Sequence, residues 1–147
     1  MTGVVVWFTG LPASGKSTLA RVVQTRLRER GEPPCVLDGD VMRHLLAPLL
    51  GYSDHERDLF YEALAGFAAE LASQGLTVLV PATAHRRAYR RRARELAPRF
   101  VEVWVTTPLA DCRARDDKGL YAAAMAADSP GTLPGVGQPY DAPEHAE

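Results

Sequence analysis

The chain has 147 residues, 46% of them hydrophobic and 24% charged, with a formal net charge of −1. That length holds one domain with one core, and the near-neutral balance argues against a general affinity for nucleic acid or for an anionic membrane surface. No apolar run is long enough to span a bilayer, Cys35 and Cys112 lack metal-ligand spacing, and Met1 leads straight into an apolar strand, so a reduced cytoplasmic protein with two semi-buried thiols is expected.

The first predicted element is a buried strand, Val4 to Thr9. It runs into Gly10-Leu11-Pro12-Ala13-Ser14-Gly15-Lys16-Ser17-Thr18, which fits the phosphate-loop pattern G-x-x-x-x-G-K-[ST] at every fixed position, and a helix is predicted over Leu19 to Arg30. Strand, loop and helix stand in the order the motif requires. Gly10 and Gly15 permit backbone conformations that let successive N–H groups point at a polyphosphate on the helix N-terminus. Lys16 supplies a point charge to the β and γ phosphates, and the Ser17 hydroxyl can ligate a magnesium ion bridging them.

Gly31 and the Pro33-Pro34 pair end this unit, and Cys35 to Leu37 forms a short strand that finishes at Asp38-Gly39-Asp40. Two carboxylates therefore stand at the carboxyl end of a strand, the edge where open α/β sheets bind ligands. A helix is predicted from Asp40, with Asp40 able to cap it, carrying Arg43 and His44 through Leu50. Ser53 and Glu56 form a capping box for the next helix, whose predicted apolar face is Leu59, Phe60, Ala63, Leu64, Phe67, Ala68 and Leu71. Arg57 lies in its first turn against the helix dipole, which favours a ligand-facing role.

A third strand, Leu76 to Val80, is stopped by Pro81. Six arginines crowd Ala82 to Ala97, and the expected reading is a solvated helix whose first few arginines lean towards the phosphate site. Phe100 to Val105 is a fourth, less buried strand, Pro108 starts a short helix to Arg115, and from Asp128 the Gly- and Pro-rich tail is expected to be extended and mobile. The only lysines are Lys16 and Lys118, in a chain that otherwise uses arginine, so each is assigned a functional expectation. His44, His55, His85 and His145 form no ligand cluster. The whole is read as a single α/β domain, 1–147, with the three-layer P-loop NTPase/kinase fold and a mainly parallel sheet.

The ordered series of short motifs resembles the adenylylsulfate kinases. It comprises Trp7-Phe8-Thr9-Gly10-Leu11, Leu37-Asp38-Gly39-Asp40 with Arg43-His44, Gly51-Tyr52-Ser53 with Arg57, Arg115-Asp116 with Lys118-Gly119-Leu120-Tyr121, and Pro139-Tyr140 with Pro143-Glu144. The resemblance implies transfer of the γ-phosphoryl group of ATP, with Mg2+, to the ribose 3′-hydroxyl of adenosine 5′-phosphosulfate (APS). It implies Asp40 as the base, Asp38 near the metal and its waters, and Arg43 and Arg57 gripping the phosphosulfate. Tyr52 would stack on the acceptor adenine. Arg115 to Tyr121 would form a lid, placing Arg115 at ATP and Lys118 and Leu120 at the acceptor.

Departures from the family pattern gather on the acceptor side: Phe60 for asparagine, Ala63 for arginine, Ala84 for serine, Val41 for asparagine and Leu133 for phenylalanine. They leave two further readings open: the same transfer to another small acceptor, or a regulatory protein that holds ATP without turning it over. The family pattern continues past Pro143 into a last strand and helix, so two readings stand open, a minimal or truncated domain or a partner that supplies the missing edge, and a homodimer is a further expectation.

Overall fold

The computed structural model describes residues 1–116, 118–126 and 133–147. Four strands, β1 (Val4–Thr9), β2 (Cys35–Val36), β3 (Thr77–Pro81) and β4 (Phe100–Trp104), form one parallel sheet in the order β2-β3-β1-β4. The strand that feeds the phosphate loop is thus central. Alternation along it sorts the core into two layers. Val5 and Trp7 face one side with Val78 and Val80 of β3, against Phe60, Tyr61, Leu64, Ala65, Ala68 and Ala72. Val6 and Phe8 face the other side with Leu79, against Ala20 and Val23. Each face of a buried parallel sheet needs helical cover, and the period of two in β1 and β3 supplies both.

The helices are α1 (Lys16–Glu29), α2 (Gly39–Leu46), α3 (Asp54–Ser73), α4 (Arg87–Leu96), α5 (Leu109–Arg115) and α6 (Leu120–Ala126). Helix α1 begins three residues before the predicted Leu19, inside the loop motif, so Lys16, Ser17 and Thr18 are its first turn. Helix α2 is capped by Asp38 rather than by Asp40: Asp38 Oδ1 accepts from the Asp40 and Val41 N–H groups at 2.9 and 3.4 Å. The carboxylate one step before the first helical residue has the reach for those orphan donors, and Asp40 already lies within the helix. The helix also ends at Leu46, short of the predicted Leu50.

The Ser53 and Glu56 capping box of α3 is present with both of its hydrogen bonds. Phe60, Leu64 and Ala68 of the expected face are buried, but the buried stripe is wider on one side and narrower on the other than expected. Leu59 and Phe67 are 46% and 48% exposed, while Tyr61, Ala65 and Ala72 are buried with Arg57. Alanines let the helix lie close to the sheet, and that close approach selects their stripe over the larger residues beside it.

The arginine-rich helix also differs from expectation. Arg90 is 2% exposed, and its Nε donates to Glu102 of β4 at 3.0 Å. The other partners in this helix are peripheral acids: Arg86 meets Asp54 and Asp58, Arg92 meets Glu62, and Arg94 meets Glu147. These arginines tie α4 to α3 and to the C-terminal segment instead of leaning on the phosphate loop. Cys35 is half-buried as expected, but Cys112 is fully buried.

The tail expectation over 128–132 lies outside the described residues. The part from Leu133 is extended but held in place. Tyr140 shares a hydrogen bond with Thr9 at 2.8 Å, the Asp141 N–H donates to the His85 carbonyl at 2.7 Å, and Glu147 exchanges hydrogen bonds with the Glu102 backbone on the outer edge of β4. No helix among the described residues is long and apolar enough to cross a membrane.

Candidate active site

The loop between β1 and α1 turns through three residues at positive φ: Gly10 (156°), Ala13 (61°) and Gly15 (101°). At Gly10 a β-carbon would come within 2.7 Å of the Val105 carbonyl oxygen and 2.8 Å of Ser14 Oγ, so glycine is required by contact as well as by angle. The Ser14 N–H donates to the Leu11 carbonyl at 3.1 Å, and Thr107 Oγ1 donates to the Ser14 carbonyl at 2.7 Å, which fastens the loop from behind. Pro12 is buried at the loop's turn, and Thr18 is exposed on α1.

Lys16 Nζ donates to the carbonyls of Gly10 and Leu11 at 3.0 and 2.8 Å. Burial, and then the like charge of Lys118, bring its pKa down to about 7. An ammonium held so reluctantly is suited to an anionic partner, which restores its charge. Ser14 Oγ is buried and has no hydrogen-bond partner among the described residues. A loop with an unpartnered hydroxyl, a desolvated lysine and a helix N-terminus fits a polyphosphate.

Ser17 Oγ donates to Asp38 Oδ2 at 2.7 Å, so the first turn of α1 and the end of β2 meet through two oxygen ligands of the hard type that magnesium prefers. Among the described residues no group of three His, Cys, Asp or Glu is placed to hold a metal ion. Asp40 projects from the first turn of α2, exposed, and its Oδ2 accepts from Lys118 Nζ, between α5 and α6. Gly39 between the two carboxylates is packed against β3, where a β-carbon would stand 2.9 Å from that of Ala82.

Helix α6 and the end of α5 are joined to the loop. Tyr121 is buried and donates its hydroxyl to the Pro12 carbonyl at 2.8 Å, while Asp116 accepts from the Tyr121 and Ala122 N–H groups at 2.9 Å. Arg115, in the last turn of α5, brings Nη1 to 3.7 Å from the place a β-carbon on Gly15 would take. Leu120 is 41% exposed beside them. Phosphate loop, Asp38, Asp40, Arg115 and Lys118 thus converge at the carboxyl ends of the central strands.

A second group lines the wall made by α2 and α3. The Arg43 guanidinium lies 3.9 Å from the Phe60 ring centroid and 4.5 Å from that of Tyr52, and Arg57 lies 5.6 Å from the latter. Beneath them Tyr61 and Tyr89 stack at 4.5 Å, and the Ala84 N–H donates to Tyr61 Oη.

The adenylylsulphate kinase family model matches residues 2–147. The chain belongs to the adenylylsulphate kinase family. An adenylyl-sulfate kinase of Klebsiella pneumoniae is 45% identical, over 99% of this chain and 73% of that protein. A structure of the Mycobacterium tuberculosis APS kinase in complex with AMPPNP and APS superposes with a TM-score of 0.92 at 41% identity, covering 99% of this chain and 86% of that one. A hexameric APS kinase from Thiobacillus denitrificans matches 72% of this chain and 22% of its own, at 37% identity and a TM-score of 0.58.

For an adenylylsulphate kinase, three residues stand out that chain-order reading did not single out as parts of the site. Thr9 Oγ1 donates to the Thr83 carbonyl at 2.6 Å and shares a hydrogen bond with Tyr140, which ties the mouth of the phosphate loop to the C-terminal segment. Tyr61 fixes Ala84, a non-glycine residue at φ 44°. His85 is 1% exposed, and its Nε2 has no hydrogen-bond partner among the described residues. Only Thr9 carried a signal in the sequence, as a hydroxyl ending an otherwise apolar strand.

Burial, followed by the charges of Arg57 and Arg86, lowers the His85 pKa from 6.5 to about 4. An unfolded chain then takes up a proton below pH 6.5 that the native state refuses until about pH 4. Stability is therefore full above the upper value and is withdrawn as pH falls through this window, by about 3 kcal/mol in all. Chemical unfolding of His85→Gln beside wild type should show the difference between them shrinking from pH 7 to pH 4. Parallel profiles would assign the acid sensitivity to other groups.

Proposed function

We propose that the protein transfers the γ-phosphoryl group of ATP to the ribose 3′-hydroxyl of APS, giving 3′-phosphoadenosine 5′-phosphosulfate and ADP. The observation that carries this reading is the convergence of the phosphate loop, the Ser17–Asp38 pair and the lid-contacted Asp40 in a chain of this family. Phosphoryl transfer requires alignment and charge neutralisation more than covalent help from the protein, and these parts provide both.

In this reading the loop from Gly10 to Thr18 encloses the triphosphate, and Lys16 leaves its carbonyl partners for the β and γ phosphates. Ser14 Oγ gains the partner it lacks among the described residues, and Arg115 covers the nucleotide from the lid. Ser17 and Asp38 would hold Mg2+, which neutralises charge on the phosphate oxygens when bound. Arg43 and Arg57 grip the phosphosulfate, Tyr52 stacks on the acceptor adenine, and Lys118 and Leu120 close over it. Asp40 accepts the proton of the 3′-hydroxyl as its oxygen bonds to the γ phosphorus, the bond to the β-bridging oxygen breaks, and ADP departs. Lys118 meets Asp40 from the lid, so closing brings a positive charge to the carboxylate that does this work. The setting is the cytoplasm, and a homodimer is the proposed assembly.

The test is ADP release by purified protein with ATP and magnesium, with and without APS, together with the mass of the nucleotide product. APS-stimulated release with a product heavier than APS by one phosphoryl group supports the reading. Release stimulated by a different acceptor alone, or ATP binding without turnover, would reject it.

Lys16 gives a separate check. Near pH 8 its low pKa leaves it largely neutral before nucleotide binds, and a polyphosphate at 3 Å or so restores the ammonium, so binding should take up about one proton at pH 8 and close to none at pH 6. Titration calorimetry in two buffers of different ionisation enthalpy measures this directly. A buffer-independent heat at pH 8 would contradict it.

A further inference from the structure

Arg43 is held in an unusual way for a surface arginine. Its guanidinium lies over two aromatic rings, at 3.9 Å from the Phe60 centroid and 4.5 Å from that of Tyr52, and its Nη1 donates to the Gly51 carbonyl at 2.7 Å. Phe60 is 2% exposed and wedged into the core of α3, so its ring is a fixed platform, whereas Tyr52 is 57% exposed and lies across the outside. Among the described residues no carboxylate forms an ion pair with Arg43. The nearby Glu56 accepts instead from the Ser53 N–H and hydroxyl, at 3.1 and 2.6 Å, as part of the capping box.

These two ways of holding an arginine differ in what they leave available. A carboxylate partner would fix the guanidinium and also neutralise it, and would occupy the N–H edge that recognises a planar or tetrahedral oxyanion. A ring face holds the same group through its quadrupole, leaves the formal charge intact and leaves the in-plane N–H donors directed outward. The backbone carbonyl of Gly51 then selects the rotation about the ring normal. Side-chain entropy lost on binding is reduced, because the arginine is already placed.

We propose that Phe60 is a positioning residue for the acceptor: its ring holds the Arg43 guanidinium in place and oriented towards the phosphosulfate of APS. The inference rests on the functional reading above and adds a residue to it. Phe60 acts only through Arg43, so it governs how tightly the acceptor anion is gripped and leaves the phosphate loop and the donor nucleotide untouched. Leucine at this position keeps an apolar side chain in the core and removes the π face, and tyrosine keeps the face.

The experiment is steady-state kinetics on the full chain, wild type against Phe60→Leu and Phe60→Tyr, varying APS at saturating ATP and ATP at saturating APS. The KM for APS should rise about five- to thirtyfold in Phe60→Leu, with the KM for ATP and kcat within about twofold of wild type, and Phe60→Tyr should restore it. An unchanged KM for APS in Phe60→Leu, an equal rise in both KM values, or a Phe60→Tyr variant as impaired as Phe60→Leu would overturn the proposal. Should Phe60→Leu fail to fold, Phe60→Met carries the same comparison. A wild-type protein without APS-stimulated turnover would overturn the functional reading, and the role of Phe60 towards that anion with it. Turnover that ignores the ring overturns the role of Phe60 alone.

Discussion

Replacing Asp40 by asparagine is expected to lower kcat by about 10² to 10⁴ while leaving the KM for ATP close to wild type, if the carboxylate accepts the 3′-hydroxyl proton. Asparagine preserves shape and loses proton affinity. The fold makes this substitution interpretable, because Asp38 and not Asp40 caps α2, so the helix keeps its N-terminal hydrogen bonds in the variant. The remaining structural cost is one favourable charge near a helix N-terminus, about 0.3 to 1 kcal/mol, together with the exposed ion pair to Lys118. Single-turnover measurement of ADP formation is the appropriate readout, since product release then cannot mask the chemical step. A loss below tenfold would remove Asp40 from the role of base.

Arg90→Met is expected to be the most destabilising simple substitution in α4, by about 3 to 5 kcal/mol, because it leaves Glu102 buried without its counter-charge. The side chains of Arg90 and Glu102 are 2% and 11% exposed, so water cannot replace the lost partner. The same guanidinium donates to the Ala84 and Asp141 carbonyls at 2.5 Å, and it therefore also joins the loop after β3 to the C-terminal segment. Thermal unfolding should register a fall in Tm on the order of 10 °C. The double variant Arg90→Met with Glu102→Leu should recover part of that loss, as both charges are then absent. A single variant as stable as wild type would mean that Glu102 finds water or another donor.

Features set by neighbours in the chain were legible in the sequence. The phosphate loop depends on residues within nine positions, and the Ser53–Glu56 box on residues three apart, so composition and spacing are enough to place them. Features that depend on distant pairing were not. Arg90 is one of six arginines in its stretch, and nothing local separates it from Arg91 or Arg92. The available signal was on the other side: Glu102 stands inside an apolar alternating strand, where a carboxylate needs a buried partner.

Helix α3 shows the same limit in another form. Hydrophobic size favoured Leu59 and Phe67, whereas the sheet accepts the row Tyr61, Ala65, Ala68 and Ala72, whose spacings of four, three and four residues follow one face. Close approach of helix to sheet, a tertiary quantity, decided between two stripes that periodicity alone leaves comparable. Asp38 and Asp40 were both visible as site residues, but which of them capped α2 turned on a single residue of helix boundary. The C-terminal segment looked mobile because its composition is rich in proline and glycine, and its fixed position comes from Thr9, His85, Arg87 and Glu102, all distant in sequence.

One carboxyl group, that of Asp38, divides its two oxygens between separate tasks: one receives the amides that open α2, and the other receives the hydroxyl of Ser17. Whatever draws on the second oxygen must be felt by the first. Loading of the donor compartment would therefore be transmitted to the amino end of α2 without any hinge, as a change in how readily the Asp40 and Val41 amides trade hydrogen for deuterium. The amino end of α2 would in this way report whatever engages Ser17 and Asp38.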